Sequence, residues 1–162
     1  MSLVMKCFRE TTMFRKLTLG AVALAAIALS SSAFAQAPTG TAPEAKAMLE
    51  KAVAAVKADK AKALASFQKG EDGFKDRDLY PFCASAADGA FTAHPSLMGK
   101  NLKELKDKSG KAFGEEIMKT AAEGKIDEVA YMFPRPGTDT PVAKVSYVTK
   151  IGDQVCGVGY YK

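Results

Sequence analysis

The residue with the clearest chemical potential is Lys144, because the segment around it otherwise predicts two buried strands. This segment, 141–162, is rich in β-branched and aromatic residues, which favour strands. The Gly-Asp dipeptide at 152–153 can supply the positive φ angles of a two-residue hairpin turn. The segment therefore predicts a β-hairpin that carries one ammonium group between its apolar residues.

Counting back from the turn places Lys144 opposite Tyr161 and Ser146 opposite Gly159. Gly157 falls on the same face, because side chains alternate between the two faces of a strand. Two glycines on the lysine face leave a gap, and a cation beside a gap favours a small anion. The alternative is that Lys144 lies at an exposed edge and extends to water, with the glycines marking a bulge.

A preceding strand, predicted over 126–133, adds an aromatic side chain to the lysine face. If the loop between this strand and the next is symmetric, Tyr131 lies opposite Lys144 and Val129 lies opposite Ser146. Tyr131 and Ser146 would then add two hydroxyl groups to the face that carries Lys144 and Tyr161. Both are able to donate hydrogen bonds to an anion.

The remaining pattern predicts helices before and between the strands, and thus an α+β class. Apolar residues at helical spacing predict a helical region over 43–68, which Asp59 divides into a long helix and a short one. Two further helical pieces are predicted between strands 2 and 3, over 102–106 and 111–123. The five antiparallel strands are predicted over 79–85, 90–94, 126–133, 142–151 and 154–161.

The first 35 residues have the composition of a secretory signal peptide. Basic residues precede an apolar run over 17–29, and a small-residue cleavage site follows at 33–35. Cleavage before Gln36 would leave a flexible leader over 36–42 and place the mature chain in the periplasm. An uncleaved anchor is the alternative, although the run is short and alanine-rich for a membrane span.

The start of translation is open between two methionines. The twelve residues before Met13 make a long basic region, so the chain begins at Met1 or at Met13.

The charge balance argues against a nucleic-acid-binding surface. The full chain has 23 Lys and Arg against 18 Asp and Glu, a net charge of +5. Most of this excess lies in the predicted signal peptide, and the other lysines are spread among acidic and apolar residues, as on solvated helix faces. We therefore expect no nucleic-acid partner.

The sequence lacks the motifs of common catalytic and cofactor sites. Its only histidine is His94, and no second histidine or cysteine lies at metal-ligand spacing from it. It contains no CxxCH haem motif, no Gly-x-Ser-x-Gly turn and no phosphate-binding loop. We expect no metal, no cofactor and no enzymatic activity.

Of the three cysteines, Cys7 lies in the predicted signal peptide, so Cys83 and Cys156 remain in the mature chain. In an oxidising compartment a disulfide between them is expected. Two buried free thiols are the alternative.

Three stretches of the sequence together resemble the single Cache domain family, whose members are extracytoplasmic, PAS-like sensor domains of bacteria. They are DRDLYPFCASAADGAFTAHPSLMGKNL, GKAFGEEIM and VAKVSYVTKIGDQVCGVGYYK. The resemblance covers one domain over 43–162. It implies a long N-terminal helix packed on one face of a five-stranded antiparallel sheet, with a ligand pocket on the other face under loops and short helices.

In that architecture the first and last strands are neighbours. The resemblance therefore implies that Cys83 and Cys156 lie on adjacent strands, which supports the disulfide. It also implies that Tyr80 and Phe82 turn towards Lys144.

The position of His94 depends on the length of the turn before it. A three-residue loop at 87–89 sets it opposite Phe82 on the pocket face, whereas a two-residue turn sets it opposite Cys83. The resemblance favours the first register. His94 would then either donate a hydrogen bond to an anion or order the turn at Pro95.

Members of the family are similar to receptors for small organic acids such as acetate, propionate, pyruvate or lactate. A short carboxylate needs one partly desolvated cation and a few donors around an apolar wall. The residues expected to form this site are Lys144, Tyr131, Ser146, His94, Phe82, Tyr80, Gly157, Gly159 and Tyr161.

Because the sequence ends with the domain, at Lys162, we expect a free periplasmic binding protein that passes its occupancy to a membrane chemoreceptor or a sensor kinase. Two copies could pair through the N-terminal helix. The alternative function is a structural or interaction subunit whose pocket is filled by its own side chains.

Overall fold

The computed structural model describes residues 39–162. The predicted signal peptide, its cleavage site and the first part of the leader therefore lie outside the described residues. Within them, three α-helices, one 3-10 turn and five strands form an α+β fold, as the sequence predicts. No helix in this part of the chain is long and apolar enough to cross a bilayer.

Two helices come first, close to their predicted positions. Helix α1 spans Ala42–Ala58 and helix α2 spans Lys60–Lys69, and Asp59 separates them as predicted. Thr41 precedes α1 and donates its backbone N–H to the Glu44 carboxylate at 2.7 Å, which caps the helix. The Asp59 side chain accepts a hydrogen bond from the first turn of α2 and caps it in the same way.

Five antiparallel strands form one sheet in the order β2-β1-β5-β4-β3. Their bounds are Pro81–Ser85 for β1, Phe91–Ala93 for β2, Asp127–Pro134 for β3, Pro141–Ile151 for β4 and Gln154–Tyr161 for β5. The first and last strands are neighbours, as the family resemblance implies. The three longest strands, β5, β4 and β3, are consecutive in the sheet and carry most of the predicted site.

The register counted from the Gly-Asp turn is confirmed. In the β4–β5 pair, Lys144 lies opposite Tyr161 and Ser146 lies opposite Gly159. The loop before β4 is symmetric, so Tyr131 of β3 lies opposite Lys144. These side chains share one face of the sheet.

The helical pieces between β2 and β3 are shorter than predicted. The first is a single 3-10 turn, Leu102–Glu104, and the second is helix α3, Phe113–Thr120. Helix α3 ends before residue 123 because the Ala122 carbonyl accepts a hydrogen bond from the backbone N–H of Lys150 in β4, at 3.2 Å. Pairing with the sheet thus replaces the last helical turn.

Each face of the sheet is covered by a different layer. Helices α1 and α2 pack on one face, where Leu49 and Phe67 are among the most buried side chains. Helix α3 and the loops around it pack on the other face, where Phe113 and Ile117 enter the core. Lys144 lies on the second face, so the site is positioned by α3 and its loops rather than by α1.

Cys83 of β1 and Cys156 of β5 form a disulfide bridge. The two residues are directly paired across the strands and fully buried on the face that α1 covers. Because side chains alternate, the neighbouring Phe82 faces the lysine side. The bridge joins β1 to β5 and fixes the register that places Phe82 on the lysine side.

Opening this bridge will destabilise the protein. The bridge closes a loop between residues that are 73 positions apart. A variant with both Cys83→Ser and Cys156→Ser opens this loop, which on the chain-entropy model lowers the free energy of unfolding by roughly 4 kcal/mol. Urea denaturation of the two proteins measures the difference. A free-thiol assay on the denatured, unreduced chain beginning at Gln36 should count none, and two reactive thiols there would contradict the bridge.

Candidate functional site

The Lys144 side chain is buried, with 2% of its surface exposed. Its Nζ donates to the hydroxyl oxygens of Tyr80 at 3.2 Å and Tyr161 at 3.4 Å. It also lies 4.6 Å from the ring centroid of Tyr80, 4.7 Å from that of Tyr161 and 5.2 Å from that of Phe133. The ammonium group is therefore held by two hydroxyl oxygens and three aromatic rings.

No carboxylate within residues 39–162 forms an ion pair with Lys144. Burial without such a partner lowers the pKa of Lys144 to about 7, although the negative charge of Asp78 acts in the opposite direction. An ammonium group has three N–H donors, and two of them are used by the tyrosines. One donor is left for an anion that pairs with the ammonium form. The alternative of an exposed lysine at a frayed edge is wrong.

His94 lies on the lysine face, because the β1–β2 register pairs Cys83 with Ala93. A bulge beside this pair absorbs the extra residue of β2. The imidazole ring is buried and packs edge-on against Tyr80 and Phe91, with centroids 5.4 Å and 5.1 Å apart. The register favoured by the family resemblance is the one observed.

The hydrogen bonds of His94 define its tautomer. Its Nδ1 accepts from the backbone N–H groups of Ser96 at 3.0 Å and Leu97 at 3.1 Å. A ring nitrogen that accepts carries no proton, so the proton of the neutral ring is on Nε2. Burial, together with the charge of Lys144, lowers the pKa of His94 to about 4. The ring therefore orders the turn through one nitrogen and keeps a donor on the other.

Tyr131 and Ser146 supply a second pair of hydroxyl groups, and their oxygens are 2.8 Å apart. The Tyr131 ring stacks on Phe113 of α3 with a centroid distance of 4.2 Å. Burial raises the pKa of Tyr131, so its hydroxyl stays protonated. The two hydroxyl groups are hydrogen-bonded to each other, and of the two residues only Tyr131 lines the site.

The space above the two glycines is occupied by the chain itself. A Cβ at Gly159 would overlap the Cε atom of Lys144, and a Cβ at Gly157 would lie 2.6 Å from the ring of Phe82. The expectation of an open gap is therefore wrong. Glycine is required at these positions because the lysine stem and an aromatic ring pass directly over the backbone.

A small cavity remains between the sheet and α3. Its volume is about 20 Å³, which is room for about one water molecule. Five predicted residues line it, namely Lys144, Tyr131, His94, Phe82 and Tyr80. The other four predicted residues, Ser146, Gly157, Gly159 and Tyr161, belong to β4 and β5 and do not line it. The sequence did not identify seven further lining residues, which are Phe91, Leu97, Leu102, Leu105, Phe113, Ile117 and Phe133. All except Phe91 and Phe133 come from α3 and the loops between β2 and β3. In these segments side chains do not alternate between two faces as they do in a strand, so the residues that face the cavity could not be counted from the sequence.

A larger cleft of about 510 Å³ adjoins the cavity. Tyr80, Leu97 and Phe133 line both spaces and separate them. The cleft also borders Arg135, whose Nη1 donates to the Asp78 carboxylate at 3.3 Å. Asp78 is not among the residues that the sequence predicts for the site. Its position two residues before Tyr80 was the signal that could have assigned it to the site.

Comparison with known proteins places this fold in a sensory context. The family model described as Single Cache domain 2 matches residues 25–161. A methyl-accepting chemotaxis protein of Pseudomonas putida, McpP, is 34% identical over 71 residues, which are 43% of this chain and 13% of that protein. The chain thus matches only a small part of this longer relative.

Two solved structures share the fold. One, described as the periplasmic sensor domain of a chemotaxis protein, has a TM-score of 0.55 and 25% identity, covering 72% of this chain and 87% of the other. The second is described as the structural basis for carboxylic acid recognition by a Cache chemosensory domain. It has a TM-score of 0.53 and 23% identity, covering 72% of this chain and 85% of the other. The second likeness bears on the fold alone.

The contact between Gly159 and the Lys144 stem can be tested by a double-mutant cycle. Gly159→Ala should lower the free energy of unfolding by about 1–3 kcal/mol, since its methyl group collides with the stem. The cost should fall in a Lys144→Ala background, where the stem is absent. Chemical denaturation of the four proteins measures the coupling.

Gly157→Ala is the matched control, because its methyl group would meet Phe82 rather than the lysine. Its cost should be the same in both backgrounds. An equal cost of Gly159→Ala in both backgrounds would contradict the placement of the lysine stem.

Proposed function

Because the chain belongs to the single Cache domain 2 family, we propose that it is a periplasmic sensor domain that binds a carboxylate of two to four carbons at Lys144. Cache domains are extracytoplasmic sensor domains, and the shared fold with chemotaxis sensor domains supports that class for this chain. The carboxylate class is supported by the side chains of the cavity. A neighbour of the same fold is described as recognising carboxylic acids.

The observation that carries the proposal is the buried ammonium group of Lys144, which has no ion-pair partner among residues 39–162. A carboxylate would supply the missing charge and accept the third N–H of Lys144. The Nε2–H of His94 is a second donor at the cavity. Phe82 and Phe113 would enclose an aliphatic end of a few carbons.

The volume of the cavity requires the site to open. Even the smallest acid in this class has four non-hydrogen atoms, whereas the cavity has room for about one water molecule. The wall shared with the neighbouring cleft consists of Tyr80, Leu97 and Phe133, and Leu97 belongs to the loop after β2. In our proposal the acid enters from the cleft and displaces this wall.

We propose that the chain is exported, with cleavage after Ala35, and passes its occupancy to a membrane chemoreceptor or a sensor kinase. The similarity to a segment of a methyl-accepting chemotaxis protein supports this context. Pairing of two copies through α1 belongs to the same proposal. No catalytic step is proposed.

A second function is favoured by one observation. Phe82 covers Gly157 and the lysine stem covers Gly159, which is the filled pocket expected of a structural or interaction subunit. In that case Lys144 would serve the core through its tyrosine and aromatic contacts. The two functions differ in whether a small acid stabilises the folded protein.

A thermal-shift screen separates them. A ligand that binds only the folded state raises the melting temperature, so at least one of acetate, propionate, pyruvate and lactate should raise it. Lys144→Met should abolish the shift, because it removes the charge and keeps the length of the stem. Lys150→Met is the matched control, in the same strand and on the same face, and should leave the shift unchanged.

Absence of a shift with every acid would overturn the proposal and favour the filled-pocket function. Conversion of an acid to a product would contradict the expectation of no enzyme.

Binding should depend on pH through Lys144. Its pKa is about 7 in the unliganded protein, and only the ammonium form pairs with a carboxylate. The apparent affinity should therefore be constant from pH 5.5 to about 6.5 and fall by up to about tenfold per unit above pH 7. Calorimetric titration of the acid identified by the screen measures this profile, and a constant affinity up to pH 9 would contradict it.

A further inference from the structure

Asp78 is a buried carboxylate outside the predicted site, with 8% of its surface exposed. It lies between α2 and β1, and its two oxygens have different partners. Oδ1 accepts the backbone N–H of Gly40 at 2.6 Å, and Oδ2 accepts Nη1 of Arg135 at 3.3 Å. One carboxylate thus joins the segment entering α1 to the loop after β3.

Arg135, the partner of one Asp78 oxygen, lies close to the residues that hold Lys144. The guanidinium carbon of Arg135 lies 4.8 Å from the centroid of the Tyr161 ring, and Nζ of Lys144 lies 4.7 Å from the same centroid. The Tyr161 hydroxyl accepts from Lys144 and donates to the Pro134 carbonyl at 2.6 Å. Asp78, Arg135 and Lys144 therefore form one group of charges around Tyr161.

The other oxygen of Asp78 holds Gly40, which lies in the segment just before α1. Gly40 is buried, and a Cβ there would overlap the side chain of Leu79. Arg77 holds the same segment by donating to the Thr39 carbonyl at 3.0 Å and to the Glu44 carboxylate at 2.6 Å. The segment before α1 is thus fixed to the turn that carries Asp78.

We propose that Asp78 couples the charge of the Lys144 site to the segment entering α1, so that neutralising the lysine loosens Gly40. This inference rests on the proposed function for its physiological trigger, a bound carboxylate. Its physical basis is the series of contacts from Asp78 to Arg135, from Arg135 to the Tyr161 ring and from that ring to Lys144. The negative charge of Asp78 also attracts the ammonium group. The other titratable groups facing the lysine are Tyr80, Tyr161, neutral His94 and, through Tyr161, Arg135.

The direction of the coupling follows from the signs of the charges. A carboxylate at Lys144 repels Asp78, and this repulsion offsets the attraction between Asp78 and the ammonium group. The same anion attracts Arg135 and weakens its hold on Asp78. The Asp78 carboxylate, which accepts the backbone N–H of Gly40, is then held less firmly by Arg135.

Amide hydrogen exchange of Gly40, followed by NMR on the purified protein, tests the coupling with and without an acid. An acid that binds should accelerate exchange at Gly40 by about tenfold, while amides in the middle of α1 keep their rates. Lys144→Met should accelerate it by about fivefold with no acid present, because it removes the same charge. Asp78→Asn keeps an acceptor oxygen but removes the charge, so exchange should be fast and insensitive to acid or to Lys144→Met.

Asp153→Asn is the matched control, because Asp153 forms an exposed ion pair with Lys60, and should leave Gly40 unchanged. Unchanged exchange at Gly40 in Lys144→Met overturns the coupling whether or not any acid binds. If no acid binds but Lys144→Met accelerates exchange, the coupling stands and the proposed function fails. If an acid binds and Gly40 does not respond, the proposed function stands and the coupling fails.

Discussion

The rest of the site depends on a single constraint, the burial of the Lys144 ammonium group without a paired carboxylate in the part of the chain that the structure describes. A buried charge of this kind is costly unless neighbouring groups compensate for it. Here Tyr80 and Tyr161 supply oxygens, and aromatic rings surround the nitrogen. The compensation is incomplete, as the lowered pKa of the lysine indicates. A site with unmet positive charge is well suited to a small carboxylate.

The architecture maintains this charge in the core by fixing the backbone beneath it. The Cys83–Cys156 bridge joins β1 to β5, and Gly159 allows the lysine stem to pass directly over β5. His94 is held by two backbone N–H groups, which leaves its second nitrogen as a donor. The rigid sheet and the loop at Leu97 therefore have different tasks. The sheet positions the charge, while the loop contributes Leu97 to the wall between the cavity and the cleft.

Much of this arrangement follows from the sequence, because a two-residue turn and strict alternation determine which residues share a face. The register that joins Lys144, Tyr131 and Tyr161 is of this kind. Alternation gives the face of a side chain but not its rotamer, so it did not show that the lysine stem fills the space over Gly159. The loops around α3 have no period to count, and their lining residues depend on tertiary packing. Asp78 was missed for a related reason, since a turn aspartate is explained locally and its contact with Gly40 spans 38 positions.

The most direct test of the account is the titration of the Lys144 side chain itself by heteronuclear NMR, with the Lys144→Met variant used to assign its signal. The account predicts a pKa near 7 in the absence of ligand and a clear rise when a carboxylate binds, since the anion stabilises the ammonium form. A pKa at the ordinary value for lysine without ligand, or one that no carboxylate changes, would contradict the claim that Lys144 is the anchor of an anion site.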